Sequence, residues 1–414
     1  MTNTRNTSQL GAAQWLTLAA AFLGWMFDGL EMGMFPVVAR PALQELLHTQ
    51  SEAPIGQWMG YITALFLLGA ASGGLIFGWL GDKVGRVRAM TASILTYSLF
   101  TGCGYFATEA WHLGACRFVA ALGMGGEWAL GVALVVEYWP EEKRPLMAGV
   151  IGAASNIGYA LIGLLTWLVP VHVDSWRWVM LAGAAPALLA LLISLFVPES
   201  EKWKDSVKNV TVNPLAEIFG PKLWKTTLIA VGLSSVALIG TWGSVQWLPL
   251  WADKLAGKSL PEAKAMTMFM QSAGAVVGCF IGPLFGARVG RRPAYFAMCL
   301  GSLVVCAVLF RTVHAFGAPF LIGACVAGAI TAAFYGWLPL YLPELFPTRA
   351  RATGQGFCYN GGRVLAAGGA LMQGQLVGFY GSYAEAGAVI TMVYAIGMGL
   401  IWLAPETKGK PLPD

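Results

Sequence analysis

Five charged residues lie inside long apolar segments of the sequence, where charges are rare. These residues are Asp28, Glu31, Arg117, Glu127 and Arg363. A charged side chain at the centre of a membrane-spanning helix costs at least about 2.5 kcal/mol on insertion scales. Such a residue is retained when it pairs with another charge, binds an ionic ligand or carries a proton. We therefore expect ion, proton or ligand chemistry from these five positions.

Arg363 follows Tyr359 and Asn360 at a spacing that places a phenol, an amide and a guanidinium on one face of a helix. The guanidinium fork binds a carboxylate through two parallel hydrogen bonds. We therefore predict that these three residues bind an organic anion. The alternative is a structural pair between Arg363 and a carboxylate of the protein itself.

Six other polar or aromatic residues inside apolar segments could line the same site: Asn156, Tyr159, Trp242, Gln246, Gln271 and Tyr335. The first two are three residues apart and the next two are four apart, so each pair shares a helix face. For each of the six residues, a hydrogen bond between helices is the alternative role.

Membrane-spanning helices must position these residues. Only 11% of the 414 residues are charged and 57% are hydrophobic, whereas a soluble domain carries about 25% charged residues. A spanning helix needs about 20 largely apolar residues. The sequence therefore predicts an all-α membrane protein with twelve spans, at 15–38, 58–80, 89–108, 111–137, 146–169, 177–197, 226–251, 265–286, 294–312, 316–342, 352–380 and 384–404.

The orientation of these spans follows from the basic residues, because cytoplasmic loops are enriched in Lys and Arg. With a cytoplasmic N-terminus, most of the 26 Lys and Arg residues fall on the cytoplasmic side. We therefore predict a multi-pass protein of the inner membrane with both termini in the cytoplasm. The longest connection, 198–225, is then cytoplasmic and divides the chain nearly in half.

The two halves of the sequence repeat each other at an offset of 205 to 207 residues. Parallel repeats of six helices are an organisation of secondary transporters. The recurring groups are Gly85–Arg86 at Gly290–Arg291, Gly69, Gly73 and Gly81 at Gly274, Gly278 and Gly286, Glu137–Pro140 at Glu344–Pro347, and Pro198–Ser200 at Pro405–Thr407.

The segment Gly78–Arg86 resembles the signature of the loop between helices two and three in the major facilitator superfamily. Its second copy, Gly286–Arg292, has Ala287 where the first copy has Asp82. The resemblance implies two pseudo-symmetric six-helix bundles around one central site. The N-terminal bundle is expected at 1–197, the linker at 198–225 and the C-terminal bundle at 226–414.

The same resemblance implies a cytoplasmic gate. Ion pairs at the helix ends would hold the two halves together while the central site faces outward. The alternative is that basic residues only anchor the loops, although that role needs no acids. The expected gate residues are Asp82, Arg86, Glu137, Arg144, Glu344, Arg349 and Arg351.

Two further resemblances concern the charges inside the spans. Trp25–Glu31 resembles the Asp-Gly-Phe-Asp element of sialate– and aromatic-acid–proton symporters, with Glu31 in place of the second aspartate. Arg117 ahead of Gly123–Glu127 resembles proton-coupled sugar porters, in which a first-span aspartate faces a fourth-span arginine. This implies that Asp28 pairs with Arg117 and carries the coupled proton. Glu31 and Glu127 are rivals for the proton, and a static ion pair is the alternative.

Pro343–Gly354, followed by Gly362–Val364, resembles organic-anion and metabolite–proton transporters, in which an arginine at this place contacts the anionic substrate. Taken together, the resemblances imply proton-coupled symport of a small organic carboxylate by alternating access. A proton-coupled sugar or polyol porter is the alternative, and Arg363 discriminates because a neutral sugar does not need it. A drug or amphiphile efflux antiporter ranks third.

Several other classes of function are not expected. The sequence has no Walker A pattern for ATP and no basic stripe for nucleic acid. It has no nucleophile–base group and no metal-binding spacing, so we expect neither an enzyme nor a metal site, and no cofactor besides the coupling proton. The seven cysteines lie in apolar runs without a CxxC spacing, so we expect no disulfide. The expected partners are the anion and the lipid bilayer, and the expected state is a monomer.

Overall fold

The computed structural model describes residues 11–169, 171, 173–208, 213–257, 260, 263–380 and 382–413. In this part of the chain the regular elements are helices, and no β-strand occurs. The predicted all-α fold is therefore confirmed. A helix satisfies its own backbone N–H and C=O groups, as hydrocarbon surroundings require.

The first half of the chain forms seven helices over its described residues. The sixth predicted span is divided: the chain turns at Gly183, and Pro186 begins the second piece, where its missing N–H has no helical acceptor to lose. The bounds are α1 Ala12–Leu46, α2 Glu52–Val84, α3 Arg86–Cys103, α4 Ala110–Tyr138, α5 Arg144–Leu168, α6 Trp176–Ala182 and α7 Pro186–Phe196.

Two short helices, α8 Glu201–Lys208 and α9 Pro214–Ile218, lie between the halves. In the second half the seventh and twelfth predicted spans are divided, at Ser244 and at residues 391–392. The bounds there are α10 Trp224–Gly243, α11 Leu248–Ala256, α12 Ala263–Val289, α13 Arg291–Thr312, α14 Ala318–Tyr341, α15 Arg351–Tyr380, α16 Tyr383–Ile390 and α17 Val393–Leu400.

Within the described residues, ten helical stretches are long and apolar enough to cross a membrane. The other two predicted spans correspond to α3 and α15, which are helical but more polar. Together they agree with twelve spans in two six-helix bundles, and the protein is a multi-pass membrane protein. The domain limits at 197, 198–225 and 226 stay a prediction, and residues 1–10, 209–212 and 414 of those domains lie outside the described residues.

The first two helices are longer than predicted. The helix α1 continues to Leu46 and α2 begins at Glu52, whereas the apolar runs end at 38 and begin at 58. The predictions followed hydrophobicity, but a helix that has already formed can continue into polar residues. The structured chain therefore extends beyond the apolar segments at these two places.

The helices α1 and α5 approach each other so closely that only glycine fits at the crossing. A Cβ added at Gly29 would lie 2.0 Å from the Ser155 carbonyl oxygen, and one at Gly158 would lie 1.9 Å from the Met26 carbonyl oxygen. Small residues allow such crossings in membranes. This contact holds the middle of α1, with Asp28, against the middle of α5.

The two bundles meet along two lines of helices. On one line α15 packs against α2 and α4, and on the other α5 packs against α12 and α14. The described chain begins and ends at the same end of the bundle, which we call the termini end. There Trp139 Nε1 donates to the Gln14 carbonyl (3.0 Å), and Arg351 Nη2 donates to the Pro413 carbonyl (2.9 Å).

The sequence repeat recurs at the termini end as a repeated turn. Gly85 and Gly290 precede α3 and α13 with φ values of 113° and 112°, which a residue with a side chain rarely adopts. Glu199 accepts hydrogen bonds from the first N–H groups of α3, and Glu406 accepts them from the first N–H groups of α13. Each carboxylate thereby satisfies donors that a helix leaves unpaired at its start.

A second set of repeated contacts surrounds the acid at the end of α4 and α14. Arg86 donates to Glu137 (3.1 Å), and the Ser200 hydroxyl donates to the other oxygen of the same carboxylate. In the second half Arg291 donates to Glu344 (2.7 Å), and the hydroxyl of Thr407 donates to the same carboxylate (2.5 Å). The two halves are therefore alike in their hydrogen bonds as well as in sequence.

Candidate functional site

A cavity lies between the two halves, and we call it the central cavity. Its walls come from α1, α5, α10, α12, α14, α15 and the turn after α10. It contains about 850 Å³ of space free of protein atoms, including its opening. The predicted ligand residues in its wall are Asn156, Tyr159, Trp242, Gln246, Gln271, Tyr335, Tyr359 and Arg363.

Arg363 is the charged residue of the central cavity; the other lining residues that the structure describes are neutral. Its Nη1 donates to Asn360 Oδ1 (3.1 Å), and its guanidinium carbon lies 5.3 Å from the centre of the Tyr359 ring. In the described part of the chain no carboxylate forms an ion pair with it. A guanidinium has five N–H donors, so donors remain for a ligand.

Asn360 lies behind the cavity wall and not in it. It is 1% exposed, and its amide nitrogen donates to the carbonyls of Gly125 (3.1 Å) and Gly356 (3.0 Å). Its amide oxygen accepts the bond from Arg363. The sequence grouped Asn360 with the ligand residues because it shares their helix. In the structure both of its N–H donors bond to backbone carbonyls, so neither is available to a ligand.

The rest of the wall can form hydrogen bonds with an uncharged polar group. Asn156 Nδ2 contacts the Gly152 carbonyl at 3.4 Å and Cys279 Sγ at 3.7 Å, both long distances. The buried Tyr335 hydroxyl has no partner among the described residues. Hydroxyl groups that the sequence did not single out also line the cavity, from Ser155, Thr241, Ser272 and Thr331.

Two buried tryptophans were missed by sequence reasoning. Trp25 lines the cavity, and Trp128 stacks on Tyr359 with ring centres 4.2 Å apart. Trp25 is within 6.5 Å of both other rings. The signal was available: both tryptophans occur in the middle of a span, next to Asp28 and Glu127, whereas interfacial tryptophans occur at span ends.

Asp28, three residues after Trp25, and Glu127, next to Trp128, are fully buried. Both are 0% exposed, and none of their four carboxyl oxygens has a hydrogen-bond partner in the described residues. Glu127 faces α1, since a Cβ added at Gly24 would lie 2.1 Å from its Oε1. Asp28 interacts electrostatically with Glu127, Arg363 and Glu31. Each orphaned carboxyl has an open position for a proton.

Arg117 pairs with Glu31, so the predicted pair with Asp28 is wrong for this conformation. The Arg117 guanidinium donates to Glu31 Oε1, and the Thr101 hydroxyl donates to the same oxygen (3.1 Å). Register along α4 explains the difference. Arg117 and Glu127 are separated by about 15 Å of helix, and Glu127 lies at the level of Gly24, which leaves Arg117 level with residues beyond Asp28.

Aromatic rings enclose the Arg117 guanidinium. The ring centres of Phe35 and Phe66 lie 4.9 Å and 4.8 Å from it. A guanidinium stacks well on aromatic faces. Together with the Glu31 carboxylate, these rings make a closed ion pair in which Arg117 is held on several sides.

At the termini end, Asp82 joins the two halves through the start of α15. Its carboxylate accepts hydrogen bonds from the backbone N–H groups of Ala352 (3.3 Å) and Thr353 (2.7 Å), and from Arg86 Nη1 (2.5 Å). The N-terminus of a helix favours negative charge. Asp82 of the first half is therefore bound to a helix of the second half.

Three more predicted gate residues belong to the same network. Arg86 Nη2 donates to the Thr348 carbonyl of the second half (2.7 Å), and Arg351 Nη1 of the second half donates to Glu137 (3.3 Å). Arg86, Glu137 and Arg351 are buried. The network closes the termini end between the halves in this conformation. Sequence reasoning missed Thr348 because a backbone carbonyl leaves no side-chain signature.

Of the other three predicted gate residues, Arg144 of the first half and Glu344 of the second interact electrostatically, but the described residues show no ion pair between them. Glu344 pairs with Arg291 of its own half. Arg349 pairs with Glu217 in α9 (2.5 Å). The Nε atom of Arg144 is buried without a hydrogen-bond partner in the described residues. These three were predicted from the family resemblance and their place at the span ends, which does not reveal which of the charged residues bridge the halves.

The bridging contact exists in one copy for two reasons that the sequence contains. Ala287 replaces Asp82 in the second half, so the acceptor is missing. Pro145 occupies the place in α5 that Ala352 occupies in α15, and proline has no N–H to donate. In the described residues, a carboxylate bound to a helix start therefore joins the two halves at α2 and α15, and none does so at α5 and α12.

Comparison with known proteins gives three findings. Residues 17–366 match the sequence model of the Major Facilitator Superfamily. The cis,cis-muconate transport protein of Acinetobacter baylyi is 29% identical over 380 residues, which are 89% of this chain and 89% of that protein. The sialic acid transporter NanX of Escherichia coli is 26% identical over 380 residues, 90% of each chain.

Among solved structures, the proton:xylose symporter XylE bound to 6-bromo-6-deoxy-D-glucose is similar with a TM-score of 0.82. The similarity covers 97% of this chain and 98% of that chain, at 17% sequence identity. At this identity the likeness concerns the fold alone.

Proposed function

Because the chain belongs to the Major Facilitator Superfamily, and is therefore a transporter and not an enzyme, we propose that it carries a small organic carboxylate together with protons. Transport proceeds by alternating access, in which the two bundles expose the central cavity to one side of the membrane and then to the other. The protein acts as a monomer in the inner membrane with both termini in the cytoplasm. Its domains are 1–197 and 226–414 with the linker 198–225, and no cofactor takes part besides the proton.

The observation that carries this proposal is the isolated charge of Arg363 in the central cavity. A buried guanidinium is costly in a membrane protein unless it is paired, and Arg363 forms no ion pair in the described chain, although Asp28 interacts with it electrostatically. A substrate carboxylate would supply that partner through two parallel hydrogen bonds. The neutral amides and hydroxyls around it would bind the remaining polar groups of the substrate.

The relatives support an anionic substrate. Cis,cis-muconate and sialic acid, named as the cargoes of two relatives, are both carboxylic acids. Their frameworks differ, since one is a linear conjugated diacid and the other is a sugar acid. The shared chemistry is the carboxylate, and this is the part of the substrate that we assign to Arg363.

The orphaned acids support proton coupling. Asp28 and Glu127 have no hydrogen-bond donor in the described residues, which disfavours a carboxylate in an apolar interior. Asp28 interacts electrostatically with Arg363 but also with the acids Glu127 and Glu31, so we propose that Asp28 and Glu127 each hold a proton in this conformation. Glu31 is the less suitable carrier, because its carboxylate is already bound to Arg117. Asp28 lies next to Gly29, which lines the cavity, so a small movement of α1 could expose it.

Charge balance gives a reason to combine the two sites. A membrane potential that is negative inside opposes the entry of an anion by about 2.3 kcal/mol per charge per 100 mV. One co-transported proton cancels the charge of a monoanion, and a second makes entry favourable. A carboxylate at Arg363 and protons at the buried acids therefore form a consistent cycle.

A proton-coupled sugar or polyol porter is the alternative. The amides and hydroxyls of the cavity would suit a polyhydroxy ligand, and the fold is similar to that of a xylose symporter. A neutral sugar, however, would supply no carboxylate to pair with Arg363. A drug or amphiphile efflux antiporter fits less well, because the cavity carries a cation and many polar groups.

The proposal is tested by anion binding to purified protein. A thermal-shift screen of carboxylic acids and neutral sugars should give stabilisation by acids. Charge-assisted hydrogen bonds contribute about 1.5–3 kcal/mol, so Arg363→Gln should weaken binding of the best acid at least tenfold. Titration calorimetry measures the change.

The control replaces an exposed arginine of the second half, Arg311, by glutamine, which makes the same change away from the cavity. Arg311→Gln should bind the acid like the wild type. Stabilisation by sugars alone, or equal binding by Arg363→Gln and the wild type, would favour the sugar porter.

A further inference from the structure

Asn360 occupies the junction between the cavity and the contact of the two halves. Its amide oxygen receives the bond from Arg363, and its amide nitrogen donates across the halves to Gly125 of α4. We propose that Asn360 is a positioning residue that transmits the occupancy of Arg363 to the contact between α15 and α4, and that it does not bind substrate. This rests on the proposed function, because it assumes that Arg363 binds the anion.

Its surroundings exclude a direct substrate contact in this conformation. Asn360 is 1% exposed and is absent from the cavity wall, although Tyr359 and Arg363 on the same helix both line it. Both amide hydrogens are used, on Gly125 and Gly356. A ligand in the cavity would therefore meet Arg363 first and reach Asn360 only through it.

The fit around Asn360 requires closed halves. Across the junction in α2, a Cβ added at Gly74 would lie 1.8 Å from Asn360 Nδ2 and 2.4 Å from its Cγ, and the third near atom is also of Asn360. The amide is thus held between the α2 and α4 backbones of the first half. Separation of the halves at this level, which alternating access requires, must break the bond to Gly125.

The contact is also close to a proposed proton site. Asn360 bonds to Gly125 and Tyr359 stacks on Trp128, so neighbouring residues of α15 hold α4 on both sides of Glu127. Loosening this contact would change the packing around that buried acid. One segment of α15 therefore connects the anion site, the junction of the halves and a proton site.

The chain of effects has a definite direction. A carboxylate bound to the remaining donors of Arg363 would draw the guanidinium into the cavity and away from Asn360 Oδ1. Without that bond the amide is held less firmly, the bond to Gly125 weakens, and the conformation open at the termini end gains population. Removal of the Arg363 side chain should have the same effect without any ligand.

The test measures the opening of the termini end in proteoliposomes. Spin labels replace Lys83 and Val289, which are exposed at the ends of α2 and α12, and pulsed electron resonance gives the distance distribution. One hydrogen bond contributes about 0.5–1.5 kcal/mol, so Asn360→Ala should raise the ratio of open to closed protein about two- to tenfold. The control Thr312→Ala removes an exposed hydrogen bond within α13, away from the cavity and the junction of the halves, and should leave the ratio unchanged.

A double-mutant cycle separates coupling from mere packing. Arg363→Ala should shift the ratio in the same direction as Asn360→Ala, and the double variant should shift it no further than the larger single change. Gly74→Ala approaches the same amide from the first half and should also open the termini end. In the Asn360→Ala background, which removes the amide, it should add little. Additive effects in both cycles would overturn the proposal.

The ligand arm uses the acid with the largest thermal shift in the screen described above. It should raise the open ratio of the wild type. In Asn360→Ala it should bind within about threefold of the wild type and leave the open ratio unchanged. A loss of binding as large as that of Arg363→Gln would make Asn360 a substrate ligand and overturn the proposal. If no acid binds, the proposed function fails, whereas the ligand-free cycles still decide whether Arg363 and Asn360 are coupled.

Discussion

At the scale of single residues, four buried charges of the first half divide into two pairs with different chemistry. Glu31 and Arg117 satisfy each other, whereas Asp28 and Glu127 have no partner in the described chain. Pairing stabilises a buried ion only when both members are present. The pairs should therefore respond in opposite ways to neutral, isosteric substitution.

We expect Asp28→Asn and Glu127→Gln to fold normally and to lose proton-driven accumulation of the acid. An amide replaces a neutral carboxylic acid with little change in size, so the apparent melting temperature should stay close to that of the wild type. Uptake into proteoliposomes under a pH gradient should fall by more than tenfold for the residue that carries the proton. Exchange of labelled for unlabelled acid should persist. Full accumulation by both variants would remove the protons from these positions.

Glu31→Gln is the matched contrast, since it makes the same type of change at the paired acid. It leaves the Arg117 cation buried without its counter-charge, and removal of one partner of a buried pair costs about 3–5 kcal/mol. The apparent melting temperature in detergent should therefore drop by several degrees. A melting temperature equal to that of Asp28→Asn would show that Glu31 does not stabilise Arg117.

At the scale of helices, carboxylates at helix starts organise the termini end. Glu199 and Glu406 bind the starts of α3 and α13 within their own halves, and Asp82 binds the start of α15 in the other half. The same physical device, a negative charge against unpaired N–H groups, thus serves both internal stability and closure. The two uses can be separated by substitution.

Glu406 lies outside the membrane-spanning segments, and its charge should be visible in the pH dependence of stability. Burial by itself would raise the pKa of Glu406, but backbone N–H groups of Arg291, Arg292, Lys408 and Thr407 hold its pKa below the usual 4.5. The folded protein therefore favours the carboxylate form. Its contribution is complete above pH 4.5 and is lost as the pH falls through the lower folded-state pKa.

The measurement is the apparent melting temperature of wild type and Glu406→Gln between pH 3 and pH 7. The difference between them should be greatest near neutral pH and should shrink below pH 4.5. It should correspond to less than about 1 kcal/mol, since the carboxyl is partly exposed and solvent screens it. A difference that grows on acidification would contradict the assignment.

Asp82→Asn should loosen closure without unfolding the protein. Ala352 and Thr353 donate to different oxygens of Asp82, so the single oxygen of an asparagine keeps one of these two bonds. The charge that favours the start of α15 is also lost, with an effect of about 0.3–2 kcal/mol. The open ratio from the Lys83 and Val289 spin labels should rise several-fold. The control is Glu142→Gln, which makes the same type of change at an exposed acid of the same end. Lys83 cannot be the control because it carries a spin label. An unchanged distance distribution in Asp82→Asn would remove this contact from the closed state.

At the scale of the whole molecule, the structure is closed between its halves at the termini end, and the central cavity lies beyond that closure. We expect a thiol at Gln271, which lines the cavity, to react with a membrane-impermeant maleimide from the opposite side of the membrane. Reaction from the termini side should be slower by at least tenfold in the absence of substrate. Vesicles of both orientations measure the rates, with Cys103, Cys116 and Cys325 replaced by serine because they are less buried than the others. Equal rates from the two sides would contradict a closed termini end.

Much of this architecture was predictable because the membrane restricts what a sequence can hide. Apolar length indicated the spans, and the cost of isolated charge pointed to Arg363 and to the buried acids. The cost of a buried charge does not predict which charges form ion pairs with each other. The pairing of Arg117 depends on how α1 and α4 align, and this alignment is fixed by close packing at Gly24, where Glu127 faces α1. Such register is a property of three-dimensional contact and not of spacing along one helix.

The unpredicted parts of the site share a second physical cause. Asn360 and Arg363 are both polar residues of one apolar segment, but Asn360 lies behind the cavity wall and Arg363 lies in it. Thr348 contributes a carbonyl and α15 contributes N–H groups, which every residue type possesses. Trp25 and Trp128 were recognisable by their position in the middle of a span but were not singled out. Side-chain type therefore identified the region of the site, and backbone geometry decided the contacts.

Ala287 and Pro145 lack the carboxylate and the N–H that join α2 to α15. The two contacts between the halves therefore differ in their hydrogen bonding. On the side of α2 and α15, hydrogen bonds and an ion pair join the halves and must break before the halves can separate. On the side of α5 and α12, a glycine lets the helices approach closely: a Cβ added at Gly149 would lie 3.1 Å from the Cys279 carbonyl oxygen. The polar contact described there, between Asn156 Nδ2 and Cys279 Sγ, is long at 3.7 Å, so these surfaces can move against each other with little loss of hydrogen bonding. In the alternating access that we propose, the halves would separate along α2 and α15 and pivot about α5 and α12, so a molecule that binds across α2 and α15 would be enough to keep the termini end closed.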